Sequence, residues 1–262
     1  FIGVIHLAAL SSVEQSCAEP NLYYKNNVIG SFNLLQKMIE FKVKNIVFSS
    51  TAAVYGNPIY LPIDEKHPTH PINPYGDTKL AIEKLMYNYS KAYEFNFISL
   101  RYFNVSGSDF KNKIGEDHNP ETHIIPLALE SIKKNNTFNI YGDDYNTKDG
   151  TCIRDFIHVK DLGNAHFLSF KKLLCSKMNE FINVGCGKGF SVYEILNSAK
   201  KITKMHLSIS IVKRRDGDPD TLISNIDKAK KLLAWEPQHS DIDLIIYDSW
   251  KWYQKKFVIK IT

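Results

Sequence analysis

Tyr75 and Lys79 stand four residues apart in a stretch that reads as a helix, and between them they could move a proton. A phenol has an ordinary pKa of about 10 and is a poor base at neutral pH. An ammonium one helical turn away stabilises the phenolate and brings that value down. Thr51, at the end of an apolar run, is a third group able to hydrogen-bond a reacting hydroxyl and share its proton. The spacing alone proves little. Among 14 tyrosines and abundant lysine, chance supplies about one such pair. Tyr87 and Lys91 repeat it on the same predicted helix, roughly 120° around the axis, so the two tyrosines cannot serve one site.

Context favours the first pair. Pro74 sits where a helix begins, and Tyr75 falls in its first turn, behind the loop Pro71-Ile72-Asn73. The predicted helix continues with Ile82, Leu85, Met86, Tyr89 and Tyr93 on one face. Upstream, the predicted strand Asn45–Ser49 runs into Ser50-Thr51-Ala52-Ala53. Small hydroxyl residues at the carboxyl end of a parallel strand are where an open α/β sheet places its ligand.

The elements that must position these groups alternate in type. Val4–Ala8, Asn45–Ser49 and Phe97–Tyr102 read as strands, and Val4–Ala8 as a buried one. Ser31–Phe41 and the segment from Pro74 read as helices. This alternation predicts a parallel sheet covered on both faces. Farther on, Ile124–Lys134, Val159–Leu174, Val192–Thr203 and Ile242–Lys256 read as helices. Phe138–Tyr141, Glu180–Val184 and Ser208–Val212 read as strands. The expected fold is α/β, a Rossmann-like doubly wound parallel sheet lacking its first strands, with a smaller C-terminal lobe. Residues 1–105 form the first domain and 106–262 mainly the second, with segments returning to the first.

Composition bounds the partners. The 262 residues are 44% hydrophobic, ample for a large core. A net charge of +5 arises from interleaved basic and acidic side chains, which argues against nucleic-acid or membrane partners. Cys17, Cys152, Cys175 and Cys186 form no C-x-x-C pair and read as free thiols of a reducing cytoplasm. The histidines show no metal-ligand spacing, and no metal is expected; His6 reads as a packed strand residue.

Several motifs together carry a resemblance. They are Asn26-Asn27-Val28-x-Gly30, Ser49-Ser50-Thr51-Ala52-Ala53-Val54-Tyr55-Gly56, Asn73-Pro74-Tyr75-Gly76-x-x-Lys79 and Arg101-Tyr102-Phe103-Asn104. Gly115-Glu116-Asp117, Asp149-Gly150-Thr151, Arg154-Asp155-Phe156-Ile157-His158-Val159 and Arg214-Arg215-x-Gly217-Asp218-Pro219 follow. In this order, over nearly the whole chain, they resemble the extended short-chain dehydrogenases/reductases. Within these the resemblance is to the branch that inverts C4 of UDP-hexoses. It implies reversible epimerisation of UDP-glucose and UDP-galactose in galactose metabolism, through a 4-keto sugar with tightly bound NAD, by a homodimer. Tyr75 would take the C4 hydroxyl proton while hydride passes to NAD⁺, whose charge lowers the phenol further. Related dehydratases carry acidic residues just after the hydroxyl residue. Ala52-Ala53 here favours reversible oxidation over elimination.

The resemblance also implies contacts. Leu7, Ala8, Ala9, Asn27, Thr51, Tyr75, Lys79 and Phe103 match cofactor positions. Thr51, Tyr75, Asn104, His123, Ile124, Asn139, Tyr141, Arg154, Arg215, Asp218 and Leu222 match UDP-sugar positions. Arg154 and Arg215 would hold the diphosphate, since a planar guanidinium matches phosphate oxygens. Arg214 would be the solvated neighbour. Asp218 would hold the ribose, the alternative being a turn-forming residue before Pro219. Tyr141 would lie near the uracil, or equally in the core. His123 stands where related enzymes have a nucleotide-binding asparagine, and a neutral imidazole can still donate one hydrogen bond. Leu222 stands where some carry a bulky tyrosine, so room for an N-acetyl group is expected.

The glycine-rich fingerprint of a dinucleotide turn is missing. Gly185-Cys186-Gly187-Lys188-Gly189 lies far down the chain and reads as a turn before the helix at Val192. The chain opens inside an apolar run, and the resemblance implies about 60–70 preceding residues, of the order of two strand–helix units. The chain as written is therefore expected to be an N-terminally truncated fragment and inactive. The competing readings are a related epimerase of UDP-glucuronate, a pentose or an N-acetylhexosamine, and a non-catalytic nucleotide-sugar binder.

Overall fold

The computed structural model describes residues 1–109, 111, 113–215 and 218–259. The chain divides into two compact units. One comprises Phe1–Tyr102, Asn164–Val184 and Asn225–Trp235; the other comprises Phe103–Gly163, Gly185–Ser224 and Glu236–Thr262. In chain order come β1 (Val4–His6), α1 (Val13–Ala18), α2 (Pro20–Tyr23), a π-helical turn (Tyr24–Ile29) and α3 (Gly30–Glu40). Then follow β2 (Asn45–Thr51), a 3-10 turn (Ala52–Val54), α4 (Pro74–Ala92) and β3 (Asn96–Tyr102). Next are β4 (Asn104–Ser106), α5 (Ile124–Lys134), β5 (Phe138–Tyr141), β6 (Ile153–His158), α6 (Val159–Cys175) and β7 (Asn179–Val184). The last are β8 (Gly189–Ser191), α7 (Val192–Thr203), β9 (Ile209–Val212), β10 (Thr221–Leu222), α8 (Asp227–Leu233) and α9 (Ile242–Ile259).

The first unit is built on a parallel sheet in the order β1-β2-β3-β7. β2 is buried along nearly its whole length, as its continuous Ile46-Val47-Phe48 run requires in a parallel sheet. The expected buried strand Val4–Ala8 differs. It is three residues long, pairs only with β2, and leaves Ile5 and Leu7 exposed, because it lies at the sheet's edge among the described residues. α4 turns Ile82, Met86 and Tyr89 into a core shared with Leu35 and Met38 of α3 and Ile46, Phe48 and Phe97 of the sheet. Tyr93, the C-cap of α4, is exposed instead.

A buried ion pair fastens α4 to this sheet. Glu83, two turns beyond Tyr75, accepts from Arg101 of β3 at both oxygens, Nη2 at 2.6 Å and Nε at 3.0 Å. Ser99 Oγ donates to the same carboxylate at 2.8 Å. The guanidinium stands over the rings of Tyr55 and Phe181, 5.0 and 4.7 Å from their centroids. Tyr55 OH accepts from Arg101 Nη1 at 3.2 Å and donates to Asn183 Oδ1 of β7 at 2.6 Å. One network thus joins α4, the 3-10 turn after β2, β3 and β7.

The second unit holds β4, β6 and β10 in parallel, with β8 antiparallel to β6 and a separate parallel pair of β5 and β9. Its core gathers Ile125 and Leu129 of α5, Ile195 and Leu196 of α7, and Ile245, Ile246 and Trp250 of α9. The sequence offers no strand signal for β4, β6, β8 and β10: β4, β8 and β10 are at most three residues long, and β6, though largely buried, interrupts its apolar residues with Arg154, Asp155 and His158. No helix among the described residues is long and apolar enough to cross a membrane.

Glu83→Gln strands a buried guanidinium without its counter-charge. Breaking a buried pair from one side typically costs about 3–5 kcal/mol, so the urea midpoint should fall steeply. A loss within about 0.5 kcal/mol, the range of ordinary surface substitutions, would show that the pair does not hold α4 in place.

Candidate functional site

α4 begins where its residues dictate. Asn73 is extended and its Oδ1 accepts from Gly76 N at 2.9 Å, while Pro74 takes the first helical position, where no N–H is needed. Gly76 lies so close to the 3-10 turn that a Cβ there would stand 2.6 Å from Ala53 O. Thr51 caps that turn, its Oγ1 accepting from Ala53 N at 3.1 Å. Two short caps and one glycine therefore bring the first turn of α4 against the hydroxyl end of β2.

Tyr75, Lys79 and Thr51 meet there, each less than a tenth exposed. Lys79 Nζ donates to the Ser49 carbonyl at 2.7 Å and stands 4.8 Å from the Phe48 ring centroid and 5.9 Å from that of Tyr75. Tyr87 and Lys91 share the spacing but not the setting: Lys91 Nζ sits 5.1 Å from a ring that is 46% exposed.

Burial governs the ionisation of this pair. Desolvation pushes the Tyr75 phenol above its ordinary value, Tyr102 adds to the rise, and the hydrogen bond with Thr51 opposes it. Desolvation also lowers Lys79 from 10.5 to about 8, with Glu83 opposing. The expectation that Lys79 brings the phenol down is thus reversed in this structure. Removing water penalises the charged phenolate, and the ammonium is anchored to a carbonyl rather than to the phenol.

The cofactor positions of the first unit lie at the same end of the sheet. His6 is in register with Phe48, and Leu7, Ala8 and Ala9 follow directly on this last paired residue of β1. Leu7 and Ala8 are exposed and Ala9 is half-buried. Asn27 is committed inside the protein. Its Oδ1 accepts from Leu10 N at 2.8 Å, and its Nδ2 donates to Leu10 O at 3.0 Å and Thr78 Oγ1 at 3.2 Å. Its polar atoms brace the loop after β1 against α4. His6 Nε2 lies 2.9 Å from Ser31 Oγ, a packed strand residue as expected.

The remaining positions belong to the second unit. Phe103 is buried and Asn104 opens β4. His123 is the N-cap of α5 and Ile124 its first residue. Asn139 and Tyr141 share the exposed face of β5, while Phe138 and Ile140 point into the core. Tyr141 is therefore not a core residue; the Arg215 guanidinium lies 3.8 Å from its ring centroid. Arg154 Nη1 donates to the carbonyls of Ile153 and Pro219, at 2.9 and 2.8 Å, and Nη2 stands 3.6 Å from Asp218. Leu222 pairs with Arg154 across β10 and β6. Arg214 is not merely solvated. It donates to Asp220 at 2.9 Å, approaches Asp144 at 3.6 Å and stacks on Tyr145 at 3.7 Å. Gly217, quoted in the motif with these arginines, lies outside the described residues.

Sequence reasoning missed the residues that hold these groups. Tyr55, Arg101 and Asp155 each lie in a motif quoted above, but nothing in the motif gives a partner. Asp155 is fully buried and accepts from Cys186 N at 2.7 Å, Gly187 N and Ser224 N at 3.1 Å, and Ser224 Oγ at 2.5 Å. A Cβ at Gly185 would stand 2.6 Å from that carboxylate. The glycine-rich segment exists to let the chain wrap a buried aspartate.

A buried Tyr-x-x-x-Lys pair beside a hydroxyl strand end on a parallel sheet defines the site of a short-chain dehydrogenase/reductase. The comparisons agree. Residues 1–246 match the family described as GDP-mannose 4,6 dehydratase. A UDP-glucose 4-epimerase of Halalkalibacterium halodurans is 47% identical over 96% of this chain and 76% of its own. The crystal structure of UDP-glucose 4-epimerase from Brucella ovis in complex with NAD superimposes with a TM-score of 0.92 at 41% identity, over 95% of this chain and 77% of that one. That of the Bifidobacterium longum enzyme in complex with NAD⁺ and UDP gives 0.91 at 36% identity, over 97% and 77%. The chain belongs to the UDP-glucose 4-epimerase family of the extended short-chain dehydrogenases/reductases.

The lowered pKa of Lys79 has a consequence for stability. Between pH about 8 and 10.5 the unfolded lysine keeps its proton while the folded one has released it. Unfolding then takes up a proton, so stability rises with pH in this window and gains nothing further from this group below it. Tyrosine ionisation opposes the trend above pH about 10. The urea midpoint should therefore climb from pH about 8 to 9.5, and Lys79→Met should flatten the climb. An equal slope in the variant would place the proton elsewhere.

Proposed function

We propose that this chain inverts C4 of a UDP-hexose, interconverting UDP-glucose and UDP-galactose through a transient 4-keto sugar, with NAD held throughout. The observation that carries the reading is the convergence of Tyr75, Lys79 and Thr51 beside Ala52 and Ala53. The residues fit the cofactor. Leu7, Ala8 and Ala9 offer an uncharged surface just past the carboxyl end of β1, where a dinucleotide can approach the backbone closely. The Lys79 ammonium is fixed nearby, one turn beyond Tyr75. Bound NAD supplies a reversible hydride acceptor.

The chain's own residues do the rest. Tyr75 takes the proton of the C4 hydroxyl and later returns it, with Thr51 hydrogen-bonded to the phenol. Lys79, held by the Ser49 carbonyl, places positive charge where the phenolate forms. Ala53 and Ala52 leave no carboxyl group there to protonate a departing hydroxyl, so the sugar is oxidised and reduced rather than dehydrated. Arg154 and Arg215 bind the diphosphate and Asp218 the ribose, with Tyr141 presenting a flat face toward the base. Tight binding of the nucleotide and loose binding of the hexose let the keto sugar turn over while remaining anchored. The reading extends to a cytoplasmic homodimer in galactose metabolism; the four free cysteines suit a reducing compartment.

A second substrate class is favoured by one observation. Leu222 pairs in register with Arg154, which puts a modest side chain beside a diphosphate arginine. A side chain smaller than tyrosine at this place suits an N-acetyl group, so UDP-GlcNAc and UDP-GalNAc are also substrates.

Tyr75→Phe should lower kcat for UDP-galactose by about 10²–10⁴-fold, the usual worth of a positioned acid–base group, with UDP affinity unchanged by calorimetry. Activity within a few fold of the parent would overturn the assignment. Leu222→Tyr should abolish turnover of the N-acetyl sugars and leave UDP-galactose turnover nearly intact. If both substrates fall together, Leu222 does not set the pocket.

A further inference from the structure

Ahead of α5 the chain gathers four groups that the epimerase reading does not use as a set. Glu116, His118, Glu121 and His123 each present one atom within 4.8 Å of all the others. His118 Nδ1 lies 3.2 Å from Glu116 Oε1 and 3.7 Å from Glu121 Oε1. His123 Nδ1 contacts the same Glu116 oxygen and lies 4.0 Å from Glu121 Oε1.

The backbone at Glu116 is anchored from outside the cluster, and the Glu121 carboxylate is held by the loop itself. The carbonyl of Glu116 accepts from Trp252 Nε1 at 2.9 Å, and Gly115 packs so tightly on that indole that a Cβ would stand 2.3 Å from its Cδ1. Asp117, between the ligands, is engaged by Lys256. Glu121 Oε1 accepts from the amides of Thr122 and His123, at 2.8 and 2.9 Å. The glutamate side chains are only 15% and 14% exposed, and among the described residues neither pairs with a lysine or arginine. Two shielded carboxylates this close repel each other unless a cation lies between them. The imidazoles, 51% and 52% exposed, leave an open approach from solvent.

We propose that Glu116, His118, Glu121 and His123 bind one divalent transition-metal ion of the zinc type. Ligand atoms in a tetrahedral zinc site, with bonds of about 2.0–2.1 Å, lie about 3.3 Å apart. The separations of 3.2 and 3.7 Å already approach this, and the 4.0 Å one closes by rotating a side chain. Two imidazole nitrogens disfavour calcium and magnesium, which select oxygen. Two carboxylates and two neutral imidazoles leave the bound ion electrically balanced. With Nδ1 of His123 on the metal, its Nε2 must carry the ring proton, which turns the His123 ring into a fixed donor. The sequence expectation of no metal rested on histidine spacing alone. The carboxylates that complete the set are interleaved with the histidines, and only the fold of the loop shows that all four converge.

The test is isothermal titration of the chelator-stripped protein with zinc chloride. One ion should bind per chain. His118→Ala and Glu121→Gln should each weaken it by at least about tenfold, as losses in metal-site shells do, whereas His206→Ala should not. The parent loaded with cobalt(II) should show the intense visible bands of a tetrahedral site, a reading that needs no variant. Absence of binding, binding that survives His118→Ala, equal weakening by His206→Ala, or a purely octahedral cobalt spectrum would each overturn the proposal. The outcome is independent of epimerase turnover.

Discussion

The first unit depends on the ion pair between Glu83 and Arg101. Taking two charges out of water is expensive, and a bidentate pair with its remaining atoms hydrogen-bonded is one of few arrangements that makes burial tolerable. Here Ser99, Tyr55 and Asn183 complete it, and two aromatic rings cover it. Because its members come from α4, β3, β7 and the turn after β2, it fixes one rotation of α4 about its axis. That rotation turns Tyr75 and Lys79 to the strand end and leaves Tyr87 and Lys91 in solvent. The pair contributes geometry more than net stability, since well-packed apolar residues of the same volume would serve stability as well.

Desolvation and charge oppose each other at Tyr75. Burial holds the phenol protonated and presses Lys79 toward neutrality, and the nearest fixed partner of the ammonium is a carbonyl rather than the phenolate. A site arranged this way is sensitive to charge: a further positive charge at the strand end favours the phenolate strongly, because both side chains are buried and screening is weak.

The second unit shows how a buried carboxylate shapes backbone. Asp155 collects four donors from three residues, and the chain must come close enough to deliver them. Glycine at 185 permits that approach, and Gly187 takes the positive φ of 72° that the turn requires. Arg154, next to Asp155 on β6, points the other way along the strand and is free of this knot. The same alternation puts Asn139 and Tyr141 on the outer face of β5.

The sequence by itself determined the class of fold, most of the long helices and the central strands, because apolar periodicity and helix-start residues are local signals. α5 and α7 begin and end at the residues their periodicity predicts. The motifs also determined the family and which tyrosine to propose as the reacting one, since small hydroxyl residues and a proline-started helix are readable in order. Only the tertiary structure decided what surrounds each group. Burial, not the lysine, sets the phenol's ionisation. Asn27 braces a loop, Arg214 is tied to Asp220 and Tyr145, and the glycine-rich segment wraps Asp155. The convergence of Glu116 and Glu121 on two histidines is likewise invisible in one dimension. Desolvation and long-range hydrogen bonding depend on which distant residues share a volume, and that is fixed by packing rather than by any spacing along the chain.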